Sequence, residues 1–97
     1  MVDKINFYLK IAKNLFDLRT EKKLSIDKFI EITNLDLDRS TYWGVENNKQ
    51  NISLYQLFVI AKTFGVPILD LLKGADDQNN SSEQLKDSSD IKQVNNL

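Results

Sequence analysis

Along the first 74 residues, apolar side chains recur at spacings of three and four, the repeat of helices with one inward face. No run alternates between apolar and polar positions as a half-buried strand would. Ile5, Leu9, Ala12, Leu15, Phe16 and Arg19 share one face of a first helix predicted from about Asp3 to Glu21. Ser25 is a good N-cap for a second helix, which turns Phe29, Ile30 and Ile32 inward and fades near Thr33 and Asn34. Asp38 caps a third helix over Arg39 to Glu46 or Asn47, with Tyr42 and Val45 in the core. The polar run from Asn47 to Asn51 reads as a loop. Ser53 caps a fourth helix with a broad apolar face of Leu54, Leu57, Phe58, Ile60, Ala61 and Phe64, and Gly65 ends it by taking a positive φ. Pro67 opens a fifth helix through Ile68, Leu69, Leu71 and Leu72, which Gly74 closes. The expected fold is all-α, with five short helices joined by short connections.

The pattern stops at Gly74. Residues 75–97 are rich in Asn, Asp, Ser and Gln, and their only sizeable apolar residues are Leu85, Ile91, Val94 and Leu97. Such a segment buries too little surface to offset its ordering entropy. The expectation is one domain over residues 1–74 and a disordered tail over 75–97. A weak amphipathic turn of the four apolar residues on a partner is the alternative.

Composition removes several function classes. The 97 residues include no cysteine and no histidine, which takes away the thiolate, the commonest general base and the commonest zinc ligand. There is no carboxylate motif and no Gly-rich phosphate loop, so neither an enzyme nor a bound metal, cofactor or small-molecule substrate is expected. No stretch approaches the roughly 18 consecutive apolar residues of a membrane span. The first ten residues, with Asp3 and Lys4 among them, do not read as a signal peptide. A cytoplasmic protein is expected. The net charge of −1 divides unevenly: residues 1–74 carry 11 basic and 9 acidic side chains, and residues 75–97 carry 2 and 5. A mildly basic body is followed by an acidic tail, a balance that by itself does not point to nucleic acid.

Several pieces in order carry a resemblance: Arg19 near the end of the first helix, Ser25 six residues later, Glu46 closing the third helix, the Asn-rich loop 47–51, and IAKTFGV at 60–66. The stretch from Ile11 to Lys73 resembles the Cro/phage-repressor-like, XRE-type helix-turn-helix family. Within it, LDRSTYWGVENN at 37–48 is most similar to restriction–modification controller proteins and short phage repressors. The resemblance implies a lambda-repressor-like DNA-binding domain. It also implies a salt bridge between Arg19 and Glu46 that joins the first helix to the recognition helix, rather than a phosphate contact from Arg19.

A helix entering the major groove meets base edges with its N-terminal turn. Arg39, Ser40 and Thr41 stand there, and Trp43 lies outward of the Tyr42/Val45 face. These four are the candidate base contacts. Arg39 can bond guanine O6 and N7 with both prongs of its fork. Trp43 either packs on sugar or a thymine methyl, or folds back over the core edge or a partner subunit. Gly44, at a helical cost of about 1 kcal/mol relative to Ala, is read as room for close backbone approach to DNA. Phosphate contacts are expected from Ser25, Asn47, Asn48, Lys49, Gln50 and Asn51, with helix starts at Ser25 and Ser53 adding backbone N–H groups. The alternative is a loop that is merely solvated.

The chain departs from the family pattern between the second and third helices. Ile26 stands where the family has a phosphate-binding Gln, and Ile30 where it has a small residue. The segment from Ile32 to Asp38 is about two residues longer than usual, and its turn glycine is replaced by Asn34 or Asp36, which both tolerate the left-handed conformation. These changes bear on the angle at which the recognition helix docks. The expected function is a sequence-specific transcriptional regulator that binds double-stranded DNA as a homodimer on a symmetric operator, with Ile68, Leu69 and Leu72 at the dimer interface. The extended start of the first helix, with Phe7 and Tyr8, is the second candidate surface. The alternative function is a protein-interaction module, antitoxin-like or a regulatory partner.

Overall fold

The computed structural model describes residues 4–75, and all regular structure among them is helical. The helices are α1 (Lys4–Glu21), α2 (Ile26–Thr33), α3 (Arg39–Glu46), α4 (Leu54–Phe64) and α5 (Ile68–Leu71). The expected tail beyond Ala75, with Leu85, Ile91, Val94 and Leu97, lies outside the described residues, as does Asp3. No described helix is long and apolar enough to cross a membrane.

Local hydrogen bonds set the helix ends. Ser25 Oγ accepts from the Lys28 N–H, Asp38 Oδ1 from the Thr41 N–H, and Ser53 Oγ from the Gln56 N–H. Gln56 returns the contact by accepting from the Ser53 N–H, so two orphan donors of α4 are satisfied reciprocally. Gly65 closes α4 at φ 67°. Asn34 closes α2 at φ 55°, donating its backbone N–H to the Ile30 carbonyl, and thereby does the work of the missing turn glycine.

The core is one cluster. Leu15, Phe29, Tyr42 and Ile60 are its largest fully buried members, one each from α1 to α4. The Phe29 ring lies 5.1 Å from Tyr42 and stacks on Phe64 at 5.4 Å. α1 packs on α3 and α5, α2 on α3 and α4, and α4 on α5. Leu35 is buried between α2 and α3, so the long turn is anchored by an apolar side chain of its own.

Four expectations are corrected. The inward face of α1 is Ile11, Ala12, Leu15 and Leu18, while Ile5, Leu9 and Phe16 are exposed. In the first turns of α1 it is Phe7 and Tyr8 that pack against the core, and the face is rotated toward Leu18 because α3 and α5 pack on α1. In α2, Ile32 is exposed and Thr33 is buried in its place. The inward stripe follows Phe29 and Thr33, four apart, and Ile32 sits about 200° around the helix from half-buried Ile30. Thr33 is tolerated because its hydroxyl donates to the Phe29 carbonyl at 2.7 Å. In α4, Leu54 and Phe58 are exposed, so the apolar face is narrower than expected. The fifth helix is a single turn ending at Leu71, and Ala75, expected to begin the tail, is buried.

Candidate nucleic-acid interface

The pair α2 and α3 is held to α1 by a fork of hydrogen bonds. Arg19 Nε donates to Glu46 Oε2 at 2.8 Å and Nη2 to Oε1 at 2.9 Å, while Nη1 donates to the Leu24 carbonyl at 2.7 Å. Glu46 is 2% exposed and Arg19 14%. The carboxylate ends α3, where the macrodipole disfavours negative charge, and the guanidinium beside it offsets that conflict. The Glu46 bond raises the Arg19 pKa further above its ordinary value, so the guanidinium stays charged at any physiological pH. The same guanidinium lies over the Phe16 ring, 5.5 Å from its centre. Arg19 therefore has three of its five N–H donors engaged within the junction, and its side chain is largely covered.

Beside this junction is Tyr42, fully buried, whose hydroxyl makes no hydrogen bond of good geometry. Burial first, and then the neighbouring Glu46 carboxylate, push its pKa far above the ordinary tyrosine value, so the phenol stays neutral.

The start of α3 is a solvent-facing patch. Arg39 and Ser40 are exposed, Thr41 is half-buried, and Trp43 is 47% exposed. Asp38, Arg39, Ser40 and Trp43 wall an open recess of about 450 Å³. The Asp38 carboxylate is occupied by the Thr41 backbone, which holds its pKa below the usual carboxylate range. The structure thus places all four expected base-contacting residues on the first turn and a half of α3, with Trp43 facing solvent rather than folded over the core. It adds one residue that the sequence analysis did not single out. Asp27, in the first turn of α2, accepts from Arg39 Nη1 at 2.9 Å. Twelve positions separate the two, so no local pattern could have paired them.

The expected phosphate contacts divide. Ser25 Oγ is engaged as the α2 cap, and Asn47 donates its side-chain amide to the Trp43 carbonyl at 2.9 Å. The backbone N–H groups of Lys49 and Gln50 both donate to the Gly44 carbonyl, at 2.7 and 3.1 Å. All five loop residues are exposed, so the side chains of Asn48, Lys49 and Asn51 remain at the surface. Gly44 itself is corrected: it is buried, and a Cβ there would lie 2.8 Å from Gln50 Cγ. Its missing side chain admits the returning loop rather than DNA. Of the expected dimer residues, Leu69 is 72% exposed, whereas Ile68 and Leu72 are half-buried against the core. Among the described residues, no group of three acidic side chains gathers in a form that could hold a metal ion.

No family model matches this chain, and no curated protein does. Among solved structures, the chain is similar to the restriction–modification controller protein C.AhdI from Aeromonas hydrophila. The two share 31% sequence identity over a match covering 66% of this chain and 94% of that one, with a TM-score of 0.59. The identity extends over almost the whole of the controller and coincides with five helices in the expected order, so the chain belongs to the Cro/repressor-like, XRE-type helix-turn-helix family.

Proposed function

We propose that the protein is a sequence-specific DNA-binding transcriptional regulator, acting in the cytoplasm as a homodimer on a two-fold-symmetric operator. The observation that carries this reading is the first turn of α3, where Arg39, Ser40 and Trp43 are exposed together on a helix that the Arg19–Glu46 fork ties rigidly to the core. Its relative being a controller protein supports the regulatory role. Arg39 and Trp43 read base edges, with Ser40 and Thr41 adding less selective contacts. Lys49, Asn48 and Asn51 grip phosphate beside them, with backbone donors at the starts of α2 and α4. One recognition helix reads only about four base pairs, too little information for a genome, which favours two modules set about 34 Å apart on one face of the duplex. Leu69 is the outward anchor of the dimer surface, flanked by Ile68 and Leu72.

The test is binding to a selected duplex over a range of salt. With roughly four to six phosphates neutralised per dimer, the log–log slope should be about −4 to −6, and Arg39→Ala should cost about 1–3 kcal/mol per half-site. Sedimentation should find two chains per duplex. A flat salt response sinks the reading. The exposed Leu54, Tyr55 and Phe58 on α4 favour a second reading, a module that binds only protein. Retention on heparin that weakens with salt is expected only of the DNA binder.

A further inference from the structure

We propose that Asp27 is a specificity-determining positioning residue, which holds the Arg39 guanidinium so that its fork meets a base edge in one orientation. The inference rests on the DNA-binding reading above and deepens it.

Asp27 and Arg39 lie on different helices and meet at 2.9 Å through a single prong, Nη1. Their side chains are 65% and 68% exposed, and an exposed pair of this kind contributes little to stability. Nor does the Asp27 side chain cap its own helix, because Ser25 already does so. Its carboxylate also sits on the face that would approach phosphate, where a negative charge opposes binding. What the contact does achieve is geometric. The guanidinium is planar, so a bond at Nη1 favours orientations in which the edge that carries Nε and Nη2 points away from Asp27. That edge is the one left for a bidentate contact with guanine N7 and O6. Asp38, the carboxylate that lines the recess beside Arg39, is bonded through Oδ1 to the Thr41 backbone and has no ion pair with Arg39. An arginine without this restraint would reach phosphates and many base acceptors from several rotamers. With it, Arg39 loses general affinity and gains discrimination.

The test compares the full chain with Asp27→Asn, Arg39→Ala and the double variant. Dissociation constants are measured at one salt concentration on a selected duplex, on the same duplex with the preferred symmetric guanine replaced, and on mixed-sequence DNA. Melting temperatures are measured alongside and should be nearly unchanged for Asp27→Asn. Asp27→Asn should raise affinity for mixed DNA about twofold to fivefold by removing a charge that repels phosphate. Preference for the guanine should fall about tenfold, the lower range of what one bidentate contact discriminates. In the Arg39→Ala background, Asp27→Asn should leave that preference unchanged, because the two residues act as one unit. The proposal is overturned if guanine preference survives Asp27→Asn. It is equally overturned if the loss persists without Arg39, which would make Asp27 a base reader in its own right. If the unaltered chain shows no salt-dependent, selective binding, the DNA reading and this inference fall together. If it binds selectively and Asp27→Asn changes nothing, only this inference falls.

Discussion

Glu46 and Tyr42 stand one turn apart on α3, and both are buried, but with opposite consequences. The Glu46 carboxylate has two charge-assisted bonds from Arg19, and removing either partner leaves a buried charge unpaired. Glu46→Ala should destabilise the fold by about 3–5 kcal/mol in urea unfolding. Arg19→Lys should recover little of the pair's strength, because an ammonium cannot fork across two oxygens or reach the Leu24 carbonyl at the same time. A variant with Glu46→Ala that unfolds at the parental midpoint would show the pair to be ornamental. Tyr42 carries a hydroxyl that finds no well-formed partner, so Tyr42→Phe should be neutral or slightly stabilising at pH 7. Its titration sets the sign at high pH. The folded pKa lies above the unfolded value, so the native phenol keeps its proton when the unfolded one, from about pH 10, has lost it. Stability is therefore whole below about pH 10 and falls above it by about 1.4 kcal/mol per pH unit for this group. Tyr42→Phe should remove that increment. The comparison is made as a difference between the two proteins, since the other groups that titrate in alkali are common to both. Parallel stability curves from pH 9 to 11 would contradict the assignment.

At the scale of elements, α5 shows how a short apolar run divides its labour. Its four residues cannot hold a helix by propensity, so tertiary packing must hold it. Leu71 is 2% exposed in the core, and Asn14 of α1 donates its amide to the carbonyls of Leu71 and Lys73, satisfying two acceptors that the helix leaves orphaned. Leu69, two positions earlier, points away. Leu71→Ala should cost about 2–5 kcal/mol of stability, whereas Leu69→Glu should leave helicity and melting temperature close to the parent while weakening self-association. Circular dichroism and sedimentation equilibrium at micromolar concentration separate the two effects. If Leu69→Glu leaves association untouched, the dimer surface lies elsewhere, and the start of α1, with partly buried Phe7 and Tyr8, becomes the next candidate.

For the molecule as a whole, the closing turn after α5 matters more than its composition suggests. Gly74 takes φ 81°, which a side chain would strain, and this turn carries Ala75 back into the core. The Ala75 N–H donates to the Leu72 carbonyl at 2.9 Å. A chain ended at Gly74 should therefore be less stable than one ended at Ala75. Losing one buried methyl and its contacts is worth about 1 kcal/mol. In a body of this size that is a fall of about 4–8 °C in melting temperature. Equal melting by calorimetry would return the domain boundary to Gly74.

What the amino-acid sequence determined by itself is the set of elements and the ends of α2, α3 and α4. Ser25, Asp38 and Ser53 each bond a backbone N–H three residues on, and Asn34 and Gly65 each adopt the left-handed conformation that stops a helix. These interactions close within a single turn, so a local reading finds them. The exposed first turn of α3 was legible for the same reason, since Tyr42 and Val45 fix which side faces inward. Arg19 and Glu46, 27 residues apart, were named only through family resemblance, because no spacing rule connects them. Tertiary structure alone decided the rest. The rotation of α1 toward Leu18, the burial of Thr33 in place of Ile32, and the return of Gln50 onto Gly44 depend on which neighbour each helix meets. The contact of Asp27 with Arg39 depends on the angle between α2 and α3, which the anchored turn through Leu35 sets. Periodicity specifies that a face is buried, but not by what. A helix whose apolar residues spread over more than one face can turn any of them inward until the surrounding helices select one.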